Sequence, residues 1–203
     1  MTNGFLIVLS APSGGGKSTL IQELLKGMPE ILYSVSMTTR PPRQGEKNGQ
    51  DYFFVSENEF QIKREADELI EFAQVHGHWY GTPRKFIEDQ LGLGHEILLD
   101  VDVQGGRKIK KIFSDSALIF IAPPSLAVLE SRLRGRRQDD EITIQKRLRA
   151  AQSELEAAQD YDYLVLNEQF DQAVRQLQSV IVAERLKMHR IQYAVTPLNK
   201  EAN

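Results

Sequence analysis

The chain has 203 residues, a formal net charge of −3 and no cysteine. The absence of cysteine excludes a disulfide framework and a thiolate metal site, and the slightly acidic balance gives no general attraction to nucleic acid or to an anionic membrane surface. The length suits one α/β domain with insertions and leaves monomer and homo-oligomer equally open.

The apolar run Phe5–Leu9 is too short and lacks the basic residues of a signal peptide. No segment approaches a membrane span. Together these fit a cytoplasmic protein. Phe5–Leu9 reads instead as a buried strand. The loop Ala11, Pro12, Ser13, Gly14, Gly15, Gly16, Lys17, Ser18 follows, and from Thr19 to Gly27 the leucines Leu20, Leu24 and Leu25 share a helix face. Strand, glycine turn, Lys-Ser and helix are the context in which the pattern G-x-x-x-x-G-K-[ST] cradles phosphate. The glycines let successive N–H groups turn inward and the helix start adds its unpaired donors. Lys17 can reach the β- and γ-phosphates of a bound nucleotide as a mobile cation, and the Ser18 hydroxyl can ligate Mg²⁺. Ala11 stands where the pattern has its first glycine.

Further along, 31–37 (ILYSVSM) is expected to form one strand, and the proline-broken segment Thr38–Glu46 a loop. Arg40 and Arg43 on that loop read either as a solvated basic turn or as a clamp for an anion. Residues 51–55 suggest a short strand, and Ser56 with Glu59 a capping box before a helix over 57–66. The run 68–75 reads as a strand with Glu71 in its middle. Gly77–Thr82 reads as an aromatic turn, and His76 and His78 as surface histidines. A helix is expected over 83–91. The run 96–103 reads as a second buried strand, with Asp100 and Asp102 on one face, where an acid could hold Mg²⁺. A helix over 107–113, a strand over 116–122 and a Ser125-capped helix over 126–133 come next. The arginine-rich stretch 132–149 reads either as a solvated face or as a lid over a transferring phosphoryl group. A helix over 142–158, a strand over 163–166 and a long helix over 170–192, with Val174, Leu177, Ile181 and Met188 as its apolar stripe, complete the pattern. Strands alternating with helices predict an α/β fold: a P-loop core whose parallel sheet is flanked by helices, with an inserted mixed subdomain at 35–85.

The segments S-A-P-S-G-G-G-K-S (10–18), S-V-S-M-T-T-R-P-P-R-Q-G-E (34–46), D-Y-F-F-V (51–55), Glu71-Phe72, W-Y-G-T (79–82), L-L-D-V-D-V-Q-G-G (98–106), I-A-P-P-S (121–125), R-L-R-G-R (132–136) and K-R-L (146–148) resemble the guanylate kinase family over nearly the whole chain. Pro41, and Trp79 where that family's pattern has tyrosine, are departures. The resemblance implies transfer of the γ-phosphoryl of ATP to GMP, with dGMP as a further acceptor, assisted by Mg²⁺. It implies a core of 1–34, 86–124 and 160–195, a GMP-binding subdomain at 35–85 and an arginine-rich lid near 125–159. It puts Ser36, Glu71, Thr82 and Asp100 at the guanine base, with Asp100 also a Mg²⁺ ligand beside Ser18. Arg40, Arg43, Tyr52 and Tyr80 would hold the GMP phosphate. Arg132, Arg136 and Arg147 would contact the ATP phosphates and the group in transfer, with Lys17 and Arg40 assisting, and Asn167 would lie at the adenine end. A P-loop GTPase would match Asp102-Val103-Gln104-Gly105, but the guanine-reading N-K-x-D of such enzymes is missing here, since Asn199-Lys200 is followed by Glu201-Ala202 and follows no strand. A non-catalytic scaffold module would have lost residues such as Lys17, Arg40 and Arg43, which are present here.

Overall fold

The structure is a computed structural model and describes residues 4–75, 77–135 and 140–191. A five-stranded, all-parallel sheet forms its centre. Strand β1 (Leu6–Ser10) leads through the glycine loop into helix α1 (Lys17–Gly27) and then into β2 (Leu32–Ser34). After an excursion, β7 (Ile97–Asp100), α4 (Val103–Ile112), β8 (Ala117–Ala122), α5 (Leu126–Gly135), α6 (Glu141–Glu156), β9 (Tyr163–Leu166) and α7 (Phe170–Arg185) complete the core. The strand order is β2-β7-β1-β8-β9, so the chain departs from β1 in both directions. The crevice at that switch point, beyond the carboxyl ends of the strands, is where an open α/β sheet takes its ligands.

Alternation along β1 explains why both sheet faces are covered. Phe5, Ile7 and Leu9 point into a cluster with Leu20, Leu24 and, from α7, Leu177 and Ile181. Leu6 and Val8 point to the other side, into a cluster with Ile109 of α4 and Ile87 of α3 (Arg84–Gly92). A parallel sheet buried on both faces needs such near-continuous apolar runs.

The excursion builds a second, mixed sheet in the order β4-β3-β6-β5, from β3 (Met37–Thr38), β4 (Phe53–Phe54), β5 (Leu69–Val75) and β6 (His78–Pro83). Helix α2 (Glu57–Glu65) packs Phe60 beneath it, and the Ser56 hydroxyl accepts a hydrogen bond from the Glu59 N–H.

Several expectations need correction. The single strand over 31–37 is two strands in different sheets, with Val35 and Ser36 between them. The aromatic turn at 77–82 is strand β6, whose aromatic side chains pack across β5 and α2: Trp79 stacks on Phe60 at 5.9 Å. The strand expected over 96–103 stops at Asp100, because Asp102 caps α4 by accepting from the Gly105 N–H at 2.7 Å. Gly105 and Gly106 are therefore inside α4 rather than ahead of it. Helix α7 stops at Arg185 because the buried Arg190 folds back to pair with the buried Glu184 and with Asp115, and Met188 is exposed rather than part of the apolar stripe. His76 and Gln192 lie outside the described residues.

Candidate active site

The glycine loop has the shape its sequence asks for. Gly14 and Gly16 hold φ angles of +91° and +88°, in the left-handed region, and the Gly15 N–H closes a turn on the Pro12 carbonyl at 2.8 Å. Gly16 is the N-cap of α1 and no side chain caps the helix, so its first N–H groups are left for an anion. Ala11 at the first motif position causes no strain, and its methyl packs against the core cluster beneath the loop. Lys17 reaches across the sheet. Its ammonium donates to the Val101 carbonyl at 2.9 Å and pairs with Asp100. Parallel pairing of Leu9 with Asp100 brings that carboxylate to the root of the loop.

One cavity of about 260 Å³ joins this loop to the second sheet. Ala11 to Thr19 line one wall; Ser36, Arg43, Tyr52, Glu71, Tyr80 and Asp100 line the other. Arg147 and Glu154 of α6 reach into it from the side. An adjoining hollow of about 350 Å³ shares Ser18, Arg43, Tyr52, Tyr80 and Asp100 and is walled by Arg40 and Glu46.

Glu71 is the unusual group. It sits on β5 with only 5% of its surface exposed, and burial pushes its carboxyl up to about 7. The buried Thr82 hydroxyl donates to its Oε1 at 2.6 Å and works against that shift. The backbone of α4 backs the carboxylate: a Cβ on Gly105 would come within 2.8 Å of Oε2. Lys108, one turn further along α4, caps the Phe72 carbonyl and lies 5.0 Å from the centre of the Phe72 ring. Ser36, 6% exposed, lies between the two sheets on the same cavity.

The two loop arginines are organised by a residue the sequence reading passed over. Glu46 takes the Arg40 guanidinium with both oxygens, at 2.9 and 3.0 Å, and also accepts from the Arg43 N–H at 2.7 Å. Burial opposes the charge on Arg40, but the Glu46 bond holds its guanidinium above the ordinary value. Arg40 also lies over the Tyr52 ring at 5.5 Å, and Tyr52 meets Tyr80 edge-on at 5.9 Å. Burial, then the charge of Asp100, pushes the Tyr52 hydroxyl up, so it stays a neutral donor.

Not every expected residue faces the cavity. Thr82 acts through Glu71. Asn167 is buried behind the glycine loop and donates to the Gly15 carbonyl at 2.8 Å. Arg132 lies beside it, donating to the Asn167 and Gly15 carbonyls at 3.0 and 3.5 Å. Arg136 lies outside the described residues. The missed residues left faint traces. Glu46 follows Arg43 by one turn's spacing, and a glycine pair inside a helix marks a close approach. Glu154 looked like any polar position of α6.

Comparisons with known proteins place the chain in a family. A model of the guanylate kinase family matches residues 3–184. The chain is 45% identical over 195 residues to a guanylate kinase of Geobacter sulfurreducens, covering 96% of each. It is 49% identical over 181 residues to one of Synechocystis, covering 89% of this chain and 95% of that one. The crystal structure of guanylate kinase from Anaplasma phagocytophilum superposes with a TM-score of 0.79 at 36% identity, covering 94% of this chain and 90% of that chain.

Proposed function

The chain belongs to the guanylate kinase family and transfers the γ-phosphoryl group of ATP to GMP, giving ADP and GDP; we propose that the cavity between the glycine loop and the second sheet is where the two nucleotides meet. The observation that carries this reading is that a buried carboxylate, Glu71, and the phosphate loop line one and the same cavity.

Guanine presents adjacent N1–H and N2–H₂ donors. Ionised Glu71, held by Thr82, accepts both, and the Ser36 hydroxyl serves O6. Adenine lacks those adjacent donors and would leave a buried carboxylate unpaired, a penalty large enough to select the base. Asp100 stands at the junction of base and phosphate sites. The acceptor phosphate lies between Arg40, Arg43, Tyr52 and Tyr80. The same contacts accommodate dGMP. On this reading segment 35–85 is the acceptor subdomain, segment 125–159 the lid, and 1–34, 86–124 and 160–195 the core.

The donor triphosphate takes the N–H groups of 14–19, with Lys17 on its β- and γ-phosphates, and Asn167 shapes the loop that receives it. An exposed hydroxyl at Ser18 and a carboxylate at Asp100, both on the cavity, are the oxygen donors that suit Mg²⁺, and these two would hold it. Bound there, the ion would offset charge on the phosphates.

The reaction needs no general base, because the attacking GMP phosphate oxygen is already anionic. A bond forms from that oxygen to the γ-phosphorus as the bond to the β-bridging oxygen breaks, and ADP carries away the electron pair. What the chain supplies is alignment and positive charge, from Lys17, Arg40, Arg147 and Arg136. Arg132 holds the loop from behind. Cytoplasmic residence fits a protein that draws on ATP and GMP, and none of the described helices is long and apolar enough to cross a membrane. Calorimetric titration separates the halves: Arg43→Ala should lose GMP while keeping a non-hydrolysable ATP analogue, and Lys17→Ala the reverse. Equal losses of both ligands in each variant would refute the division.

A further inference from the structure

Glu71 stands on an irregular edge strand. β5 is the outermost strand of its sheet, and its register against β6 shifts at Ile70: Leu69 faces Pro83, whereas Glu71 already faces Thr82. A bulge of this kind inserts one residue and re-aims the side chain that follows it. Leu69 and Phe72 join the apolar cluster around Phe60 in the second sheet. Ile70, 6% exposed, instead joins the central-sheet cluster with Leu99, Val101 and Ile109. Unbroken alternation would put Glu71 on the side of Leu69. The extra residue turns it to the side of Ile70, toward the cavity and α4.

One face of α4 meets this segment. Gly105, Lys108 and Ile109 are spaced three and four residues from the first, so they lie together on the helix. Ile109 shares the cluster that holds Ile70, and Gly105 lies behind Glu71 Oε2. The Lys108 ammonium donates to the Phe72 carbonyl and sits 5.0 Å from the centre of the Phe72 ring. Residues 70, 71 and 72 of β5 are thus each met by α4. An edge strand has no strand neighbour on its outer side. Here α4 takes that place, and a charged donor makes its polar contact, which holds more firmly than a neutral one.

We propose that Lys108 is a positioning residue for base recognition: by holding the Phe72 carbonyl it fixes β5 against α4 and so sets where the Glu71 carboxylate stands in the cavity. The inference rests on the reading of Glu71 given above. Lys108 is exposed and is not among the residues that line the cavity, so it acts through the strand rather than on a nucleotide. Ile70 and Gly105 set the depth of the contact between β5 and α4. The Lys108 bond sets its position along the helix. A carboxylate displaced by about 1 Å no longer meets two adjacent guanine donors together.

The test is a double-mutant cycle on steady-state kinetics, with thermal melting of each variant as a check on folding. Lys108→Met keeps the stem over the Phe72 ring and removes the donor. It should raise KM for GMP by about threefold to tenfold, with KM for ATP within about twofold of the parent, and narrow the preference for GMP over AMP in step. Lys108→Arg, which keeps a charged donor, should recover most of that loss. In a Glu71→Gln background, Lys108→Met should add nothing further. The proposal is overturned if Lys108→Met leaves KM for GMP unchanged, if it raises the KM values for GMP and ATP equally, if Lys108→Arg is as damaged as Lys108→Met, or if the losses from Lys108→Met and Glu71→Gln multiply. If Glu71→Gln alone leaves the preference for GMP unchanged, the reading of Glu71 fails, and the proposal falls with it.

Discussion

The Thr82 hydroxyl donates a 2.6 Å hydrogen bond to Glu71 Oε1 between adjacent strands, where both side chains are buried. Thr82 fills one lone pair of a carboxylate that is otherwise open only to the cavity and leaves its remaining lone pairs for a ligand. The bond also offsets part of the burial that pushes Glu71 to about 7. A group so placed is half-protonated near neutrality, so the hydrogen bonds it can offer a ligand change with pH.

The sign of that link follows from the donors on guanine. Only ionised Glu71 can accept two hydrogen bonds, and it ionises as pH rises through about 7. Affinity for guanosine, which has no phosphate of its own to titrate, should therefore rise about tenfold between pH 6 and pH 8. Glu71→Gln should flatten that profile. Thr82→Val should displace its midpoint to higher pH, since it removes the bond that favours the charge. Calorimetric titration at three pH values checks this. A flat profile in the parent would contradict it.

Stability should run the opposite way. An acid whose pKa is higher folded than unfolded binds more protons in the folded state between the two values. Glu71 therefore costs nothing below about 4.5 and its full penalty above about 7. Glu71→Gln should raise the melting temperature of the nucleotide-free protein at pH 8, by the equivalent of about 1–3 kcal/mol, and leave it nearly unchanged at pH 5. An equal shift at both pH values would mean that the charge is not the source.

Gly105→Ala isolates the space behind Glu71. Alanine would ordinarily help a helix interior by up to about 1 kcal/mol. Here its methyl would meet Glu71 Oε2 at 2.8 Å and Val101 Cβ at 3.1 Å. KM for GMP should rise by about tenfold or more while KM for ATP stays within about twofold. A variant with both constants unchanged would show that α4 does not position the carboxylate.

Glu46→Ala tests how the loop arginines are held. Glu46 takes both Arg40 nitrogens and the Arg43 N–H. Its loss should raise KM for GMP by about tenfold, and Arg40→Lys should not substitute for the arginine, because a point charge cannot make the two-pronged pairing. Retention of parent KM in Glu46→Ala would mean that the loop is held by its prolines alone.

The sequence carried more of the core than of the site. β1, the glycine loop and α1 were legible because apolar run, glycines and helical period agree locally. The division of 31–37 between two sheets was not, since the residues on both sides favour a strand and only the tertiary path separates them. Asp102 was misplaced for a related reason. An apolar run hid a capping residue that ended β7 and began α4. At the site, Lys17 and the loop arginines Arg40 and Arg43 were marked by motif, whereas the contact of Gly105 with Glu71 depends on which distant strand lies against α4, and that of Glu46 with the arginines on how their loop folds back on itself. Helix α7 was overextended because the buried Arg190–Glu184 pair that turns the chain back has no signature in a periodic pattern.

The most direct test of the account is ADP formation from Mg·ATP with GMP, with AMP and with no acceptor, measured for the parent chain and for Glu71→Gln. The parent should form ADP rapidly with GMP or dGMP and negligibly otherwise, and Glu71→Gln should narrow the preference for GMP over AMP by about 100-fold or more. Equal rates with AMP or without acceptor, or a preference for GMP that survives unchanged in Glu71→Gln, would contradict it.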